Sequence, residues 1–147
     1  PTVTVKDSNG QVISTQNYNI IYSSNKKVGN GTVKIVFKGN YSGTITKIFK
    51  IVPKKVSLTK ATNIKGKKVK LGWKKVSGIS GYEIQYGTNK SFKKAKTTTA
   101  KSSLKTKTIT KLKNKKKYYF RMRAYKKVSG TKVYGVYSSK KTVKITK

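Results

Sequence analysis

Apolar and polar side chains alternate along most of this chain, and this period of two restricts its fold more than any other feature. Val69, Leu71 and Trp73 alternate with lysines and a glycine. Val33 and Ile35 alternate in the same way with Thr32 and Lys34. Successive side chains of a strand point to opposite faces, so the alternation predicts strands with one buried face. No segment has a sustained helical period. We therefore predict an all-β chain.

Turn signals divide the alternating segments at intervals of about ten residues, which is typical of β-sandwiches. Asp7-Ser-Asn-Gly10 is one such signal, and it predicts short strands around Val5 and Val12. Pro53 interrupts the pattern, and a proline inside a central strand would leave the ladder without a donor. We place a domain boundary there, with a short first strand of the second half at Val56 to Leu58. The prediction is two tandem β-sandwich modules, residues 1–53 and 54–147.

The charge balance is strongly basic and unevenly distributed. The chain contains 37 Lys and Arg against two acids, a formal net charge of +35. Residues 1–55 hold nine lysines and one acid, hence +8, which leaves +27 for residues 56–147. Such a field attracts polyanions and repels other copies of the chain. The second module therefore carries most of the predicted attraction for anionic partners.

The residues that enzymes need are almost absent. There is no Cys and no His, and the two acids, Asp7 and Glu83, fall in different modules. A carboxylate pair requires two acids close together, and a serine nucleophile requires a base. Two carboxylates also make a poor metal site. We predict no catalytic site, no metal and no cofactor. No apolar run approaches the ~20 residues of a spanning helix, so membrane insertion is not expected.

Three alternating motifs occur in the second half: Val69-Lys-Leu-Gly-Trp73, Gly81-Tyr-Glu-Ile-Gln-Tyr86 and Tyr119-Phe-Arg-Met-Arg-Ala-Tyr125. With these motifs, residues 56–147 resemble a fibronectin type III domain of the Lys-rich kind found in surface proteins of Gram-positive gut anaerobes. Leu112 and Tyr118 look like the tyrosine corner of such sandwiches. The resemblance implies a β-sandwich that catalyses no reaction of its own.

The first half contains the motifs Pro1-Thr-Val-Thr-Val5, Asn17-Tyr18, Tyr22-Ser-Ser-Asn25, Val28-Gly29 and Gly39-Asn-Tyr-Ser-Gly43. With these motifs, residues 1–55 resemble a bacterial immunoglobulin-like repeat. Members of that family usually carry Asp where Asn17 stands, and they usually begin with a strand upstream of Pro1. The resemblance therefore implies that this module is either incomplete or completed by the edge of a neighbour.

One candidate binding surface is the outer face of the strand that starts near Tyr118. Alternating with the apolar residues, Tyr119, Arg121, Arg123 and Tyr125 line that face, and Lys126 and Lys127 follow. Aromatic rings interleaved with cations suit stacking on sugars or bases, with charge contacts to phosphate or sulfate. The alternative is an ordinary solvated face, on which Glu83 pairs across the sheet with Arg121 and Arg123.

The second candidate surface consists of two lysine clusters in predicted loops. Loops at one end of a sandwich lie near one another, so the clusters are able to pool their charge. Lysine is a point charge that binds polyanions without fine selectivity. The alternative is a soluble surface with lysine-protected edges. The clusters are Lys93, Lys94 and Lys96 in one loop, and Lys111, Lys113, Lys115, Lys116 and Lys117 in the other.

These features predict a non-catalytic accessory module of a larger secreted or cell-wall-attached bacterial protein. Its expected partner is an anionic cell-wall polymer or an acidic glycan, held by the lysines. A passive spacer and an adhesin for a host protein are the alternatives, and the latter needs an exposed aromatic patch such as Tyr119, Tyr125, Tyr134 and Tyr137. Nucleic acid binding is expected to be incidental, because base readout favours Arg over Lys.

Overall fold

The computed structural model describes residues 1–146 and divides the chain into two compact units. The first unit is Pro1–Ile51, and the second begins at Val52. The predicted all-β fold is confirmed: the described residues form eleven strands in antiparallel sheets, with no α-helix and one 3-10 turn at Thr15–Asn17.

The first unit contains one three-stranded antiparallel sheet in the order β1-β2-β3. Its strands are β1 (Tyr18–Ser23), β2 (Gly29–Phe37) and β3 (Thr44–Ile51). Val33 and Ile35 of β2 lie opposite Tyr22 and Ile20 of β1, so their side chains share one face. A small core of five buried residues forms on that face: Val5, Ile13, Tyr18, Val33 and Ile35.

The strands predicted around Val5 and Val12 are wrong, because only a single bridge joins Lys6 to Val12. The turn explains why this pairing stops. The Asp7 carboxylate accepts the backbone N–H groups of Asn9 and Gln11, both at 2.9 Å. The residues after Asp7 thus satisfy their donors locally rather than in a ladder. Val5 still contributes to the core through its side chain.

The second unit is a sandwich of two antiparallel sheets. One sheet has the order β4-β5-β8, and the other has the order β10-β9-β6-β7, with β11 also paired to β9. The strands are β4 (Leu58–Ile64), β5 (Lys68–Trp73), β6 (Gly81–Gly87), β7 (Lys96–Lys101), β8 (Thr106–Ile109), β9 (Lys117–Val128), β10 (Thr131–Tyr134) and β11 (Lys141–Lys144).

The inward faces of these two sheets form one core, as the alternation predicted. Val69, Leu71 and Trp73 of β5 are buried, and so are Tyr118 and Phe120 of β9. From the second sheet, Tyr82 of β6 also reaches the indole of Trp73, with ring centroids 5.3 Å apart at 62°. This edge-to-face contact adds to the stabilisation from area burial alone.

Two features of the second unit differ from the sequence prediction. The strand expected at Val56 to Leu58 instead runs from Leu58 to Ile64, because it pairs along β5 as far as Lys68. Val56 is 1 % exposed and packs in the core from the segment before the strand. Strands β7, β8 and β10 were not predicted, since they are short, rich in Thr and Lys, and carry few apolar residues to alternate.

Candidate functional site

The loop between β8 and β9 carries one of the lysine clusters and is held at several points. Leu112 is buried, and its N–H donates to the carbonyl of Lys67 at 3.1 Å. The predicted tyrosine corner is present, because the Lys113 N–H donates to the Tyr118 hydroxyl at 3.2 Å. Further along, the Lys115 N–H donates to the Ile145 carbonyl at 2.9 Å. The loop backbone is therefore fixed relative to the sheet.

The loop between β6 and β7 carries the other cluster and is ordered by its own residues. The Asn89 side-chain oxygen accepts the N–H of Ser91 at 2.8 Å and its hydroxyl at 2.7 Å. Phe92 is 8 % exposed, and the Ala95 N–H donates to its carbonyl at 3.2 Å. This bond closes a turn over Phe92 to Ala95, and Lys94 lies within that turn.

The two lysine loops meet at one cleft of about 370 Å³. Lys94 comes from the loop between β6 and β7, and Lys96 is the first residue of β7. The loop before β9 supplies Lys111 and Lys113. The aromatic wall consists of Tyr86, at the end of β6, and Tyr118. Tyr86 stacks on Phe120 with centroids 6.1 Å apart at 13°, so the protein covers one of its ring faces. The cleft is thus lined by four lysines and two tyrosines.

The structure places only some of the predicted lysines in this cleft. Lys93 lies in the same loop as Lys94 but does not line it, and neither do Lys115, Lys116 and Lys117. The Lys117 ammonium instead lies 5.9 Å from the Tyr119 ring centroid.

The sequence pattern does not assign Tyr86 to the site, because this residue alternates in phase with the core residues of β6. Its position at the end of that strand was the available signal.

The outer face of β9 forms a ladder in which guanidinium groups and aromatic rings alternate. The Arg121 guanidinium lies 4.2 Å from the Phe92 ring centroid and 4.0 Å from that of Tyr137. Arg123 lies 4.5 Å from Tyr137 and 3.8 Å from Tyr134. These distances are within the range of cation–π attraction. Both predicted arginines are therefore stacked against the protein's own rings.

The segment from Gly135 to Lys140 places Tyr137 within this ladder. Ser138 is buried; its N–H donates to the Met122 carbonyl at 2.7 Å, and its hydroxyl accepts the Met122 N–H at 3.1 Å. The segment is thereby held against β9 between β10 and β11. Nothing in the sequence pattern predicted this, because the segment has no alternation of its own.

Glu83 pairs with β9 as the sequence predicted. It lies directly opposite Arg123, whose Nε donates to its Oε1 at 2.8 Å, and the Tyr137 hydroxyl donates to the same oxygen at 3.0 Å. Burial raises the pKa of Glu83, but the hydrogen bonds from Arg123 and Tyr137, together with the positive charge of Arg123, hold the pKa below its usual range. Arg121 bonds instead to Gln85, Nε to Oε1 at 2.7 Å.

The remaining candidates on β9 lie toward its far end. Tyr125 packs against Tyr134 with ring centroids 5.9 Å apart. The Lys132 ammonium lies 4.8 Å from the Tyr125 ring centroid. Lys126 and Lys127 pair with β10, close to the β9–β10 hairpin. Since Tyr118, the second residue of β9, lines the lysine cleft, most of the strand separates Lys126 and Lys127 from that cleft.

Comparison with protein families identifies this sandwich. The model of the fibronectin type III domain matches residues 53–135, more than half of the chain. The chain belongs to the fibronectin type III family. None of the curated proteins matches it.

The solved structure of the FN1–FN3 domains of chicken CNTN1 has the same fold as this chain. The TM-score is 0.57 at 14 % identity, with 85 % of this chain covered. The match spans 44 % of the CNTN1 chain.

Fibronectin type III domains are typically non-catalytic, extracellular modules of multidomain proteins. Within residues 1–146, no helix is long and apolar enough to cross a membrane.

Proposed function

We propose that this chain is a non-catalytic accessory module of a larger protein and that it binds anionic polymers in the lysine cleft. The lysine cleft is the surface formed by Tyr86, Lys94, Lys96, Lys111, Lys113 and Tyr118. The expected ligands are anionic cell-wall polymers and acidic glycans. The observation that carries the proposal is the convergence of two lysine clusters, distant in sequence, on one cleft with aromatic walls.

The charge of the cleft supports an anionic ligand. Among the described residues, its lining contains four lysines and no acid. The acid of the same unit, Glu83, is already bonded to Arg123 and Tyr137 on the outer face of the sheet. Four like charges converging on one cleft repel each other and are relieved when an anion binds between them. Lysine is a point charge and lacks the bidentate geometry of arginine, so we expect the cleft to select ligands by their charge density rather than by the geometry of the anion.

The shape of the cleft supports a ligand with sugar or polyol units. A volume of about 370 Å³ is near the lower end of the roughly 300–1,000 Å³ of small-molecule sites. One unit of a polymer fits such a volume, and the rest of the chain extends into solvent. Rings such as Tyr86 offer flat apolar surface to the carbon skeleton of a sugar.

Backbone geometry supports a functional role for both loops. Non-glycine residues with positive φ are uncommon and cluster at functional sites. The loop before β7 contains Phe92 at φ 62° and Lys94 at φ 54°, and the loop before β9 contains Lys111 at φ 57° and Lys115 at φ 59°. The burial of Phe92 and the loop hydrogen bonds hold these conformations, so the backbone that carries the lysines is fixed before a ligand arrives.

The proposed setting is a secreted or cell-wall-attached protein of a Gram-positive bacterium, with an immunoglobulin-like repeat in residues 1–55. The fibronectin type III family supports the extracellular part of this setting. The sequence motifs of the first unit support the repeat. In that setting, the excess of positive charge faces the phosphates of the wall.

The test is salt-dependent binding of poly(glycerol phosphate) and of heparin to the full chain. Affinity is expected to fall steeply with salt, because binding releases counterions. Replacing the four cleft lysines by Gln should make the plot of log affinity against log salt shallower by about 3, at roughly 0.7–0.9 per lost contact. The matched control changes four exposed lysines at the opposite end of the same sandwich: Lys74, Lys75, Lys101 and Lys105.

A cleft variant that loses much more affinity than the control variant supports the proposal. Equal losses in both variants would mean that net charge alone attracts the polymer, and would overturn the site. No binding of either polymer at low salt would overturn the function and leave a passive spacer. Binding to a host protein that is unchanged in the cleft variant would favour the adhesin.

A further inference from the structure

A second basic cleft lies on the same unit and was not expected from the sequence. It has a volume of about 460 Å³, and three cations line it: Lys90, Arg121 and Lys140. The hydroxyl-bearing residues Ser91, Ser138 and Ser139 and the ring of Phe92 complete the lining. The Ser91 hydroxyl already donates to Asn89 Oδ1 at 2.7 Å, and the Ser138 hydroxyl donates to the Ser139 carbonyl at 2.9 Å. The three cations are therefore the groups of this cleft that would bind phosphate or sulfate. Its lining, among the described residues, contains no acid.

Arg121 is positioned to present its guanidinium edge to a ligand in this cleft. Its two ring neighbours, Phe92 and Tyr137, lie at 4.2 Å and 4.0 Å from the guanidinium carbon. Its Nε donates to Gln85 Oε1 at 2.7 Å, so a ligand in the cleft meets the terminal amino groups. A stacked, planar guanidinium loses little rotamer freedom when it binds an oxyanion.

The loop between β6 and β7 forms a boundary between this second cleft and the lysine cleft. Thr88 and Lys94 line the lysine cleft, whereas Lys90, Ser91 and Phe92 line the second one. Residues of one short loop therefore face both sites. Charges on a polymer that crosses the loop would meet cations on both sides.

This loop is rigid enough to act as a fixed bridge. Asn89 accepts both the N–H and the hydroxyl of Ser91, and the Phe92 N–H donates to the Asn89 carbonyl at 3.0 Å. Phe92 is buried beneath Arg121. Fixing the loop in advance lowers the conformational entropy that ligand binding has to remove.

From this arrangement we infer that the two clefts are subsites for one extended polymer, which crosses the loop between β6 and β7 and carries phosphate or sulfate groups at repeating intervals. The inference rests on the proposed function and adds the class of ligand, a chain rather than a single anion. Each cleft is small and open, so a single unit is held weakly. Two linked units gain affinity because the second binds at the high effective concentration set by the first.

The experiment is a length series of glycerol phosphate oligomers, with heparin oligosaccharides as a second arm that distinguishes phosphate from sulfate chains. For the unchanged protein, affinity should rise at least about tenfold once the oligomer is long enough to reach both clefts. The double variant Lys90→Gln, Lys140→Gln should lose this rise and keep its affinity for the shortest binding oligomer. The matched control is Lys74→Gln, Lys75→Gln, which removes equal charge at the opposite end of the sandwich.

The outcomes separate this inference from the proposed function. A length dependence that is unchanged in the Lys90, Lys140 variant overturns the two-subsite inference, while a cleft-specific loss in the four-lysine variant would still support the proposed function. A gradual increase with length that the control variant reduces equally also overturns it, because nonspecific charge attraction would then suffice. Failure of oligomers of every length to bind overturns both.

Discussion

Tyr137 is the residue on which the outer-face ladder of β9 depends most, and its replacement tests whether the ladder stabilises the sandwich. Its ring lies between the two guanidinium groups, at 4.0 Å from Arg121 and 4.5 Å from Arg123. Its hydroxyl donates to Glu83 at 3.0 Å. Tyr137→Phe removes the hydrogen bond alone, whereas Tyr137→Leu removes the ring as well.

The geometry sets the expected size of each change. A hydrogen bond to a charged group contributes roughly 1.5–3 kcal/mol. The side chain of Glu83 is 12 % exposed and that of Arg123 is 26 % exposed, so solvent screens the pair and we expect about 1 kcal/mol for Tyr137→Phe. Each cation–π contact adds about 0.5–1 kcal/mol at partly exposed sites. Tyr137→Leu should therefore cost about 2–3 kcal/mol.

Urea unfolding of the full chain measures these values through Trp73. This residue is the sole Trp of the sequence and is 4 % exposed in the core of the second unit, so its fluorescence follows the unfolding of that unit. Tyr119→Phe on the same strand is the matched control and should change the free energy of unfolding by less than about 0.5 kcal/mol. The slope with urea should stay constant.

The contribution of the Tyr137 hydroxyl should also depend on pH. Burial raises the pKa of Tyr137, and the nearby Glu83 raises it further, so the hydroxyl remains a donor at neutral pH. The pKa of Glu83 is lowered in the folded state. Its stabilisation is therefore complete above the ordinary Glu pKa of about 4.3 and is lost as pH falls through the lower folded value. The difference between the wild type and Tyr137→Phe should shrink across that window.

Two results would refute this reasoning. If Tyr137→Leu unfolds within about 0.5 kcal/mol of the wild type, the ladder is an ordinary surface without net stabilisation. If Tyr137→Phe costs as much as Tyr137→Leu, the hydrogen bond rather than the ring stacking holds the segment on β9.

Two further predictions use the same urea titration. Gly135→Ala should cost about 1–3 kcal/mol, because a Cβ there would lie 2.5 Å from the backbone oxygen of Pro53; Gly72→Ala, whose Cβ would have no neighbour nearer than 3.7 Å, is the control and should unfold close to the wild type. Tyr118→Phe removes the acceptor of the Lys113 N–H at 3.2 Å and should cost about 1 kcal/mol. Equal stability of the two glycine variants would contradict the first, and an unchanged Tyr118→Phe would contradict the second.

Much of the second unit could be predicted from the sequence because its central strands have one buried face. Alternation identified β5, β6 and β9 and their core residues, including Trp73 and Tyr118. Alternation placed Glu83 on the outer face, and the resemblance to a fibronectin type III sandwich made its strand a neighbour of β9. Together they predicted the pairing of Glu83 with an arginine of β9. The edge strands β7, β8 and β10 were missed, because side chains that remain in solvent need no apolar alternation.

The candidate site could be predicted only in part. The lysine clusters are visible as composition, and the resemblance to a known sandwich suggested that their loops lie at one end. Which lysines line the cleft was not predictable, because the direction of each loop depends on local bonds such as those of Asn89 and Leu112. Lys94 and Lys113 therefore line the cleft, whereas Lys93 and Lys115 do not.

The sequence by itself determined the class of this protein: an all-β, strongly basic chain that has no Cys, no His and only two acids. These properties depend on the period of the side chains and on which residue types are present, and both are local. Only the tertiary structure decided where the charge is concentrated. Strand order brings β6, β7 and the loop before β9 to one cleft, and it places Tyr137 between Arg121 and Arg123. These contacts join residues that are distant in the chain, so no local sequence pattern encodes them.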